Sequence, residues 1–417
     1  MSPLPSNYER TDYMKRKSCL AVIALLTAFG MAGCSENHSA DYSIQTPETS
    51  LYAYGENMYG NGMLYTIMNT AEQAYFLDYS TMQGIPLCNM PNCTHQSSCV
   101  SNQCTSSLVQ VVYQDNLYYF DGSWEIVDAE DGMSQSVEVK CQCKRADLTT
   151  GEIEVIAELE GVDMSHATEA VLDGNMLYII GSYSAYQSPD GTWAYTGSGG
   201  KQYLYSIDLN SGETTDYGLV NDSPYAGNNR VVDGNSTHTL YDTVTIDGVY
   251  DGKIYMHYQY VEDQQELINF LHNNGDVLVA IHTEVPWMFE NKCFDLEEKT
   301  LNKSELPYAQ DIAEETYIYR ENGTYTILTE DGDTIAAGME RANADSMTYV
   351  NGKLWELNVA NCGFDAATGE TLEIADRYLN CGARVMDYVN NQYIVQYFGE
   401  SGMMFDLVSE VNLLKTN

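Results

Sequence analysis

From residue 51 onward, apolar and polar positions alternate in short runs, and each run is broken by an Asn, Asp or Gly pair. The phrase reads Asn61-Gly62-Met63-Leu64-Tyr65, then Asp115-Asn116-Leu117-Tyr118-Tyr119, then Asp173-Gly174-Asn175-Met176-Leu177-Tyr178. It returns at Asp251-Gly252-Lys253-Ile254-Tyr255, Asn351-Gly352-Lys353-Leu354-Trp355 and Asn390-Asn391-Gln392-Tyr393-Ile394. Turn residues that accept positive φ, followed by Leu, Ile and Tyr, predict a β-hairpin at every copy. A second phrase follows each first one, an aromatic or small residue leading into Asp: Leu77-Asp78, Ala146-Asp147, Ile207-Asp208, Phe294-Asp295, Phe364-Asp365 and Phe405-Asp406. That makes six paired units, and a degenerate seventh falls between the fourth and fifth, over Tyr317–Gly332. Helix has little room: Gln264–His272 alone places apolar residues (Leu267, Phe270, Leu271) at helical spacing.

Seven units across residues 51–417 average about 52 residues each, a period suited to four-stranded blades with some long loops. Two separate β-sandwiches would not demand such an internal period. Ring closure would hide the sheet edges that independent hairpins expose. The repeated phrase resembles the six- to eight-bladed β-propellers of secreted bacterial lipoproteins of unassigned function. The resemblance implies an all-β propeller over 51–417, with seven four-stranded blades expected and six or eight allowed. Leu51-Tyr52-Ala53-Tyr54 has no obvious blade of its own. Sharing a closing sheet with the C-terminal segment Val408–Leu414 would give it one.

The first 33 residues read differently. Lys15-Arg16-Lys17 precede an apolar run from Leu20 to Phe29, too short for a permanent span. Met31-Ala32-Gly33-Cys34 resembles the lipobox of bacterial lipoproteins. In that family the cysteine carries a diacylglyceryl group and becomes the new N-terminus. The resemblance therefore implies a signal peptide over 1–33, with Met14 as the start, and lipidation at Cys34. A polar tether over 34–50 would then hold an extracytoplasmic domain on the membrane.

Charge narrows the partners. Without residues 1–33 the chain has 15 basic and 58 acidic side chains, a formal charge of −43. Such a polyanion repels nucleic acid and offers no basic patch to a membrane. Hydrophobic content of 44% and 34 tyrosines argue for a packed fold despite the charge.

Cys88, Cys93, His95, Cys99 and Cys104 crowd together as Cys-x4-Cys-x-His-x3-Cys-x4-Cys. Thiolate and imidazole satisfy zinc tetrahedrally, while four cysteines outside the cytoplasm equally make two disulfides. Both readings stand on the residues, and each gives a structural staple in the first blades. Cys141 and Cys143 sit at strand spacing on one face, where one of them is placed to reach the cluster. Cys293, Cys362 and Cys381 are scattered and suit core positions.

No catalytic group is assigned. Gly-x-Ser-x-Gly, His-Glu-x-x-His and phosphate-binding glycine loops are absent. Ser188–Trp193 imitates a sialidase Asp-box with one residue missing, in one copy. Asp128–Asp131 and Glu330–Asp333 miss the EF-hand spacing and read as turns. Three consecutive units carry long gaps between their phrases, 116–147, 174–208 and 252–295, and each gap holds one tryptophan: Trp124, Trp193 and Trp287. Corresponding loops would emerge on one face of the ring, where indole faces suit a glycan, peptide or protein surface. The function expected is therefore a binding module with no cofactor required, a structural zinc being one of the two readings of the cysteine cluster. A glycan-processing enzyme with unrecognised carboxylates and a structural platform of the cell envelope are the alternatives.

Overall fold

A computed structural model describes residues 43–415, apart from internal segments of which 184–201 and 262–286 are the longest. The expected signal peptide over 1–33, Cys34, Trp193 and Gln264–His272 lie outside the described residues, and some strands, the 309–340 region among them, are described in backbone alone.

Every expected hairpin forms, and the strands gather into antiparallel meanders. The first sheet holds β2 (Glu56–Tyr59), β3 (Gly62–Ile67), β4 (Gln73–Asp78) and β5 (Gln83–Pro86). The second holds β6 (Gln110–Tyr113), β7 (Asn116–Asp128), β8 (Ser134–Asp147) and β9 (Ile153–Glu160). The third runs through β11 (Glu169–Asp173), β12 (Met176–Tyr183), β13 (Gln202–Asp208) and β14 (Thr214–Asn221), with β10 (Val162–Asp163) pairing β12. The fourth comprises β15 (Gly227–Asp233), β16 (Ser236–Tyr250), β17 (Lys253–Val261), β18 (Trp287–Asp295) and β19 (Thr300–Lys303).

After these come β20 (Ala309–Ala313), β21 (Thr316–Glu321), β22 (Thr324–Thr329) and β23 (Thr334–Glu340), where the degenerate unit had been read. The next sheet is β24 (Thr348–Val350), β25 (Lys353–Glu356), β26 (Cys362–Asp365) and β27 (Thr371–Glu373). The last is three-stranded: β28 (Arg384–Val389), β29 (Gln392–Gly399) and β30 (Gly402–Val408).

The architecture is an all-β propeller. β11 approaches β16 of the next sheet and β24 approaches β28, so these strands line the inside of the ring. Seven uniform four-stranded blades are not what forms. Six sheets are joined by described side-chain packing, while β20–β23 is a backbone meander beside β16. The last sheet stops at three strands because the chain turns into one helical turn, Glu410–Leu413, after β30.

The two sequence phrases have separate jobs in each blade. The first phrase makes the turn between first and second strands, with Asp115, Asp251, Asn351 and Asn390 at positive φ. In the second phrase, the Asp ending the third strand caps the next turn. Asp147 Oδ1 accepts from the Thr149 and Thr150 N–H groups, both at 2.8 Å. Asp208, Asp295 and Asp365 repeat the arrangement with the residues two and three further on. The backbone donor of Thr150 above all holds the Asp147 carboxyl below its ordinary range. The residue after the Asp then donates its N–H to the first-phrase turn: Leu148 to Asp115 O at 3.3 Å, Leu209 to Asn175 O at 2.9 Å and Leu296 to Gly252 O at 3.0 Å.

Tyrosine abundance follows from the seams between blades. A tyrosine ring fills the apolar gap while its hydroxyl reaches a neighbouring sheet's backbone. Tyr118 donates to Leu209 O at 3.1 Å, Tyr258 donates to Val220 O at 2.7 Å, and the Tyr59 hydroxyl accepts from Val112 N–H at 2.8 Å.

The ends of the chain do not share a sheet. β1 (Thr49–Ala53) pairs antiparallel with β11 of the third sheet, from Thr49↔Asp173 to Ala53↔Glu169. That places it toward the axis, beside β2 and β16, with Tyr52 fully buried. The C-terminus instead ties back to the preceding sheet, through the Ile374–Leu414 bridge and the Lys415 N–H to Glu373 O at 2.8 Å. Closure is made by side chains: Met63, Tyr65, Leu77 and Tyr79 of the first sheet and its outer turn pack on Met386, Ile394, Phe405 and Leu407 of the last. An apolar seam of this kind needs no strand exchange to be stable.

Candidate functional site

The cysteine–histidine segment is the crossing from β5, the outer strand of the first sheet, to β6, the inner strand of the second. Cys88 stands two residues beyond β5. Met90-Pro91-Asn92-Cys93 is a tight turn: Pro fixes the first corner, Asn92 takes φ 61°, and Cys93 N–H reaches Met90 O at 3.2 Å. His95 also adopts a positive φ of 51°. A second turn, closed by Cys99 N–H to Gln96 O at 2.7 Å, leads into one helical turn over Val100–Gln103.

These bends bring Cys88 Sγ, Cys93 Sγ, a His95 ring nitrogen and Cys99 Sγ within 4.8 Å of one another. Cys88 and Cys99 are buried, and Cys93 and His95 half-buried. Cys99 Sγ lies 3.5 Å from His95 Nδ1 and 3.2 Å from Ser101 Oγ, and the His95 backbone N–H donates to Cys93 Sγ at 3.4 Å. Hydrogen bonding from Cys88 holds the Cys99 thiol below its ordinary range, aided against burial by Ser101 and His95; the same contact pushes Cys88 up.

Cys104 does not join them. It is fully buried, with Sγ 3.8 Å from Ser101 O, and burial pushes its thiol up. Cys141 and Cys143 share one face of β8, and both are buried in the apolar core between the first three sheets. Cys293, Cys362 and Cys381 are half-buried rather than core residues.

The tryptophan-bearing gaps fall on three consecutive sheets, between β7 and β8, β12 and β13, and β17 and β18, and are taken up by longer strands as well as by connections. In the second sheet β7 and β8 outrun their neighbours. β6 pairs only as far as Tyr119 and β9 only to Lys140, leaving a two-stranded ribbon on which Trp124 stands opposite Glu138. In the fourth sheet Trp287 begins β18 opposite Val261, two residues past the end of the β16 pairing at Gln259. Trp193 belongs to the connection between β12 and β13. In the first and last sheets the corresponding strands are no longer than 8 residues, joined across 68–72 and 400–401.

One polar group escaped the sequence reading. His257 on β17 faces Thr245 across the ladder, and Asp247, the extra residue of a bulge between Ile246 and Gly248, reaches His257 Nδ1 with Oδ1 at 2.5 Å. Thr245 Oγ1 lies 2.8 Å from His257 Nε2. Burial raises the Asp247 carboxyl against the pull of His257. An acidic residue inside an otherwise β-branched run was the available signal.

No family model matches the chain, and no curated protein matches it. Solved structures do. BamB from Moraxella catarrhalis aligns at 9% identity and TM-score 0.34, over 90% of this chain and 96% of its own. TolB from Acinetobacter baumannii aligns at 12% identity and TM-score 0.29, over 87% of this chain and 64% of its own. A structure from a study of two prolyl endopeptidases gives 10% identity and TM-score 0.41, over 97% of this chain and 53% of its own. At these scores the likenesses carry nothing about activity, and the propeller assignment stands on the sheet topology above. No described helix is long and apolar enough to cross a membrane.

Proposed function

We propose that this chain is a lipid-anchored, extracytoplasmic propeller that serves as a binding module for a glycan, peptide or protein partner. The signal segment ending in Met31-Ala32-Gly33-Cys34 supports the anchor and the compartment. The observation that carries the binding role is the clustering, on three consecutive sheets, of long excursions between the two phrases, made of extended strands and their connections. In an up-and-down meander these connections leave each sheet at the same end, so the second, third and fourth sheets present one continuous rim. Each of the three bears a tryptophan, and indole in a polar rim is suited to sugar faces and apolar side chains.

The axis is less suited to a ligand, because β1 lies along the inner edge of β11 with Tyr52 buried. Partners reach the rim, and the strong negative charge favours neutral or cationic ones.

Screening the purified protein against a glycan array, with pull-down from an envelope fraction, tests the reading. Binding should fall more than about tenfold on combined Trp124→Ala, Trp193→Ala and Trp287→Ala substitution, with the melting temperature held. Binding unaffected by the triple change would overturn the rim as the site, and product release from a captured glycan would overturn the non-catalytic role.

A further inference from the structure

We infer that Cys88, Cys93, His95 and Cys99 form a structural zinc site that clamps the crossing between the first and second sheets. The geometry is that of four donors around one point, all within 4.8 Å of one another. Disulfides draw sulfurs together in pairs and use them in even number. Here three sulfurs converge with an imidazole nitrogen, and the fourth sulfur of the segment, Cys104, is sequestered elsewhere against Ser101.

The donor set selects the metal. Three thiolates and one imidazole in a closed set suit a tetrahedral, borderline-soft d10 ion and leave no open position for a substrate. Second-sphere support is in place: the His95 N–H points at Cys93 Sγ and the Ser101 hydroxyl lies beside Cys99 Sγ. Such donors stabilise thiolates and orient ligands. Binding releases the three thiol protons to solvent, so the filled site holds one zinc dication, three thiolates and a neutral imidazole, with net charge −1.

The position explains what the ion would do. Between β5 and β6 the chain runs more than twenty residues without a strand, its regular structure limited to short helical turns. It docks on the second sheet through Asn89 N–H to Leu148 O at 2.6 Å, and Met90 packs over Gly151. Joining Cys88 at the β5 end to Cys99 at the helical turn fixes this docked shape. The same ion pins Cys93 and His95, whose neighbourhood includes two residues at unfavourable positive φ.

The test is metal analysis of the full-length protein purified without chelator. About one zinc per chain is expected, with three thiols that react only after denaturation in chelator. Cys93→Ser and His95→Ala should lower zinc content about tenfold or more, and Cys104→Ser should leave it unchanged. Cobalt exchanged into the wild-type protein should give the intense visible bands of tetrahedral thiolate coordination, a readout that needs no variant to fold. Absence of metal with two disulfides among the four cysteines overturns the site, as does zinc that survives both ligand substitutions or cobalt without thiolate bands.

Discussion

The rings of Tyr65 and Phe405 stand 5.2 Å apart, tilted by 57°, and through them the first sheet meets the last. Beside them Leu77 and Ile394 are buried in the same cluster, and the hydroxyl of Tyr79 meets the carboxylate of Asp387. The ring is therefore closed by an apolar joint with one polar contact at its edge. Deleting residues 403–417 should remove β30 and this joint together, lowering the melting temperature of the whole domain in one cooperative step. Leu77→Ala should cost about 3 kcal/mol by opening a cavity in the same place. Equal melts for the truncated and full-length proteins in circular dichroism would show that the joint does not bear on global stability.

Asp387 gives that joint a pH dependence. Burial raises its carboxyl, outweighing the Tyr388 N–H and the Tyr79 hydroxyl that oppose the rise. A raised acid favours folding most when protonated, so its contribution is complete below the ordinary carboxylate range and is lost as pH climbs through the raised value. Asp387→Asn should therefore melt close to wild type near pH 4 and above it at pH 7.5. Paired melts across that range check the sign, and a gap that closes as pH rises would reverse it.

The Asp247–His257 pair should be structural. Removing His257 leaves a buried carboxylate without its partner, so His257→Ala should destabilise by about 3 kcal/mol, and Asp247→Asn by less because the amide keeps a hydrogen bond. Urea titration of both variants measures the difference. Equal costs would mean that Asp247 is neutral in the folded protein.

The anchor is tested at Cys34. Cys34→Ala should abolish lipid labelling and leave the precursor unprocessed or released from the membrane fraction. Normal processing and retention of the variant would remove the lipoprotein assignment.

Local chemistry made most of the fold legible. Asn351-Gly352 and Asn390-Asn391 announce turns because few residues accept positive φ, and Asp147, Asp208 and Asp365 announce the following turn because a carboxylate caps it. The degenerate unit at Tyr317–Gly332 coincides with β21 and β22 for the same reason. Chain ends were misjudged because pairing between distant strands leaves no local trace: nothing near Thr49–Ala53 specifies Glu169–Asp173. Spacing also could not show which four of five cluster residues converge. That was decided by the bends at Asn92 and His95 and by the burial of Cys104. Asp247 stood out only as an acidic residue in a β-branched run, and its inward aim could not be read because it depends on a bulge that shifts the alternation by one residue.

The pairing of β1 with β11 also sets a timetable for synthesis. β1 is translated before every sheet, yet its partner is completed only at Asp173, and the first sheet waits for Phe405 and Leu407 to cover Met63 and Leu77. A nascent chain emerging residue by residue thus carries one unmatched strand until Asp173 is made and one bare apolar face for most of its emergence. Contacts of such long sequence separation are slow to form and prone to capture by other chains. Protection of the emerging chain and rapid release of the C-terminal segment, more than the strength of any single sheet, should govern how much of this protein reaches its folded form.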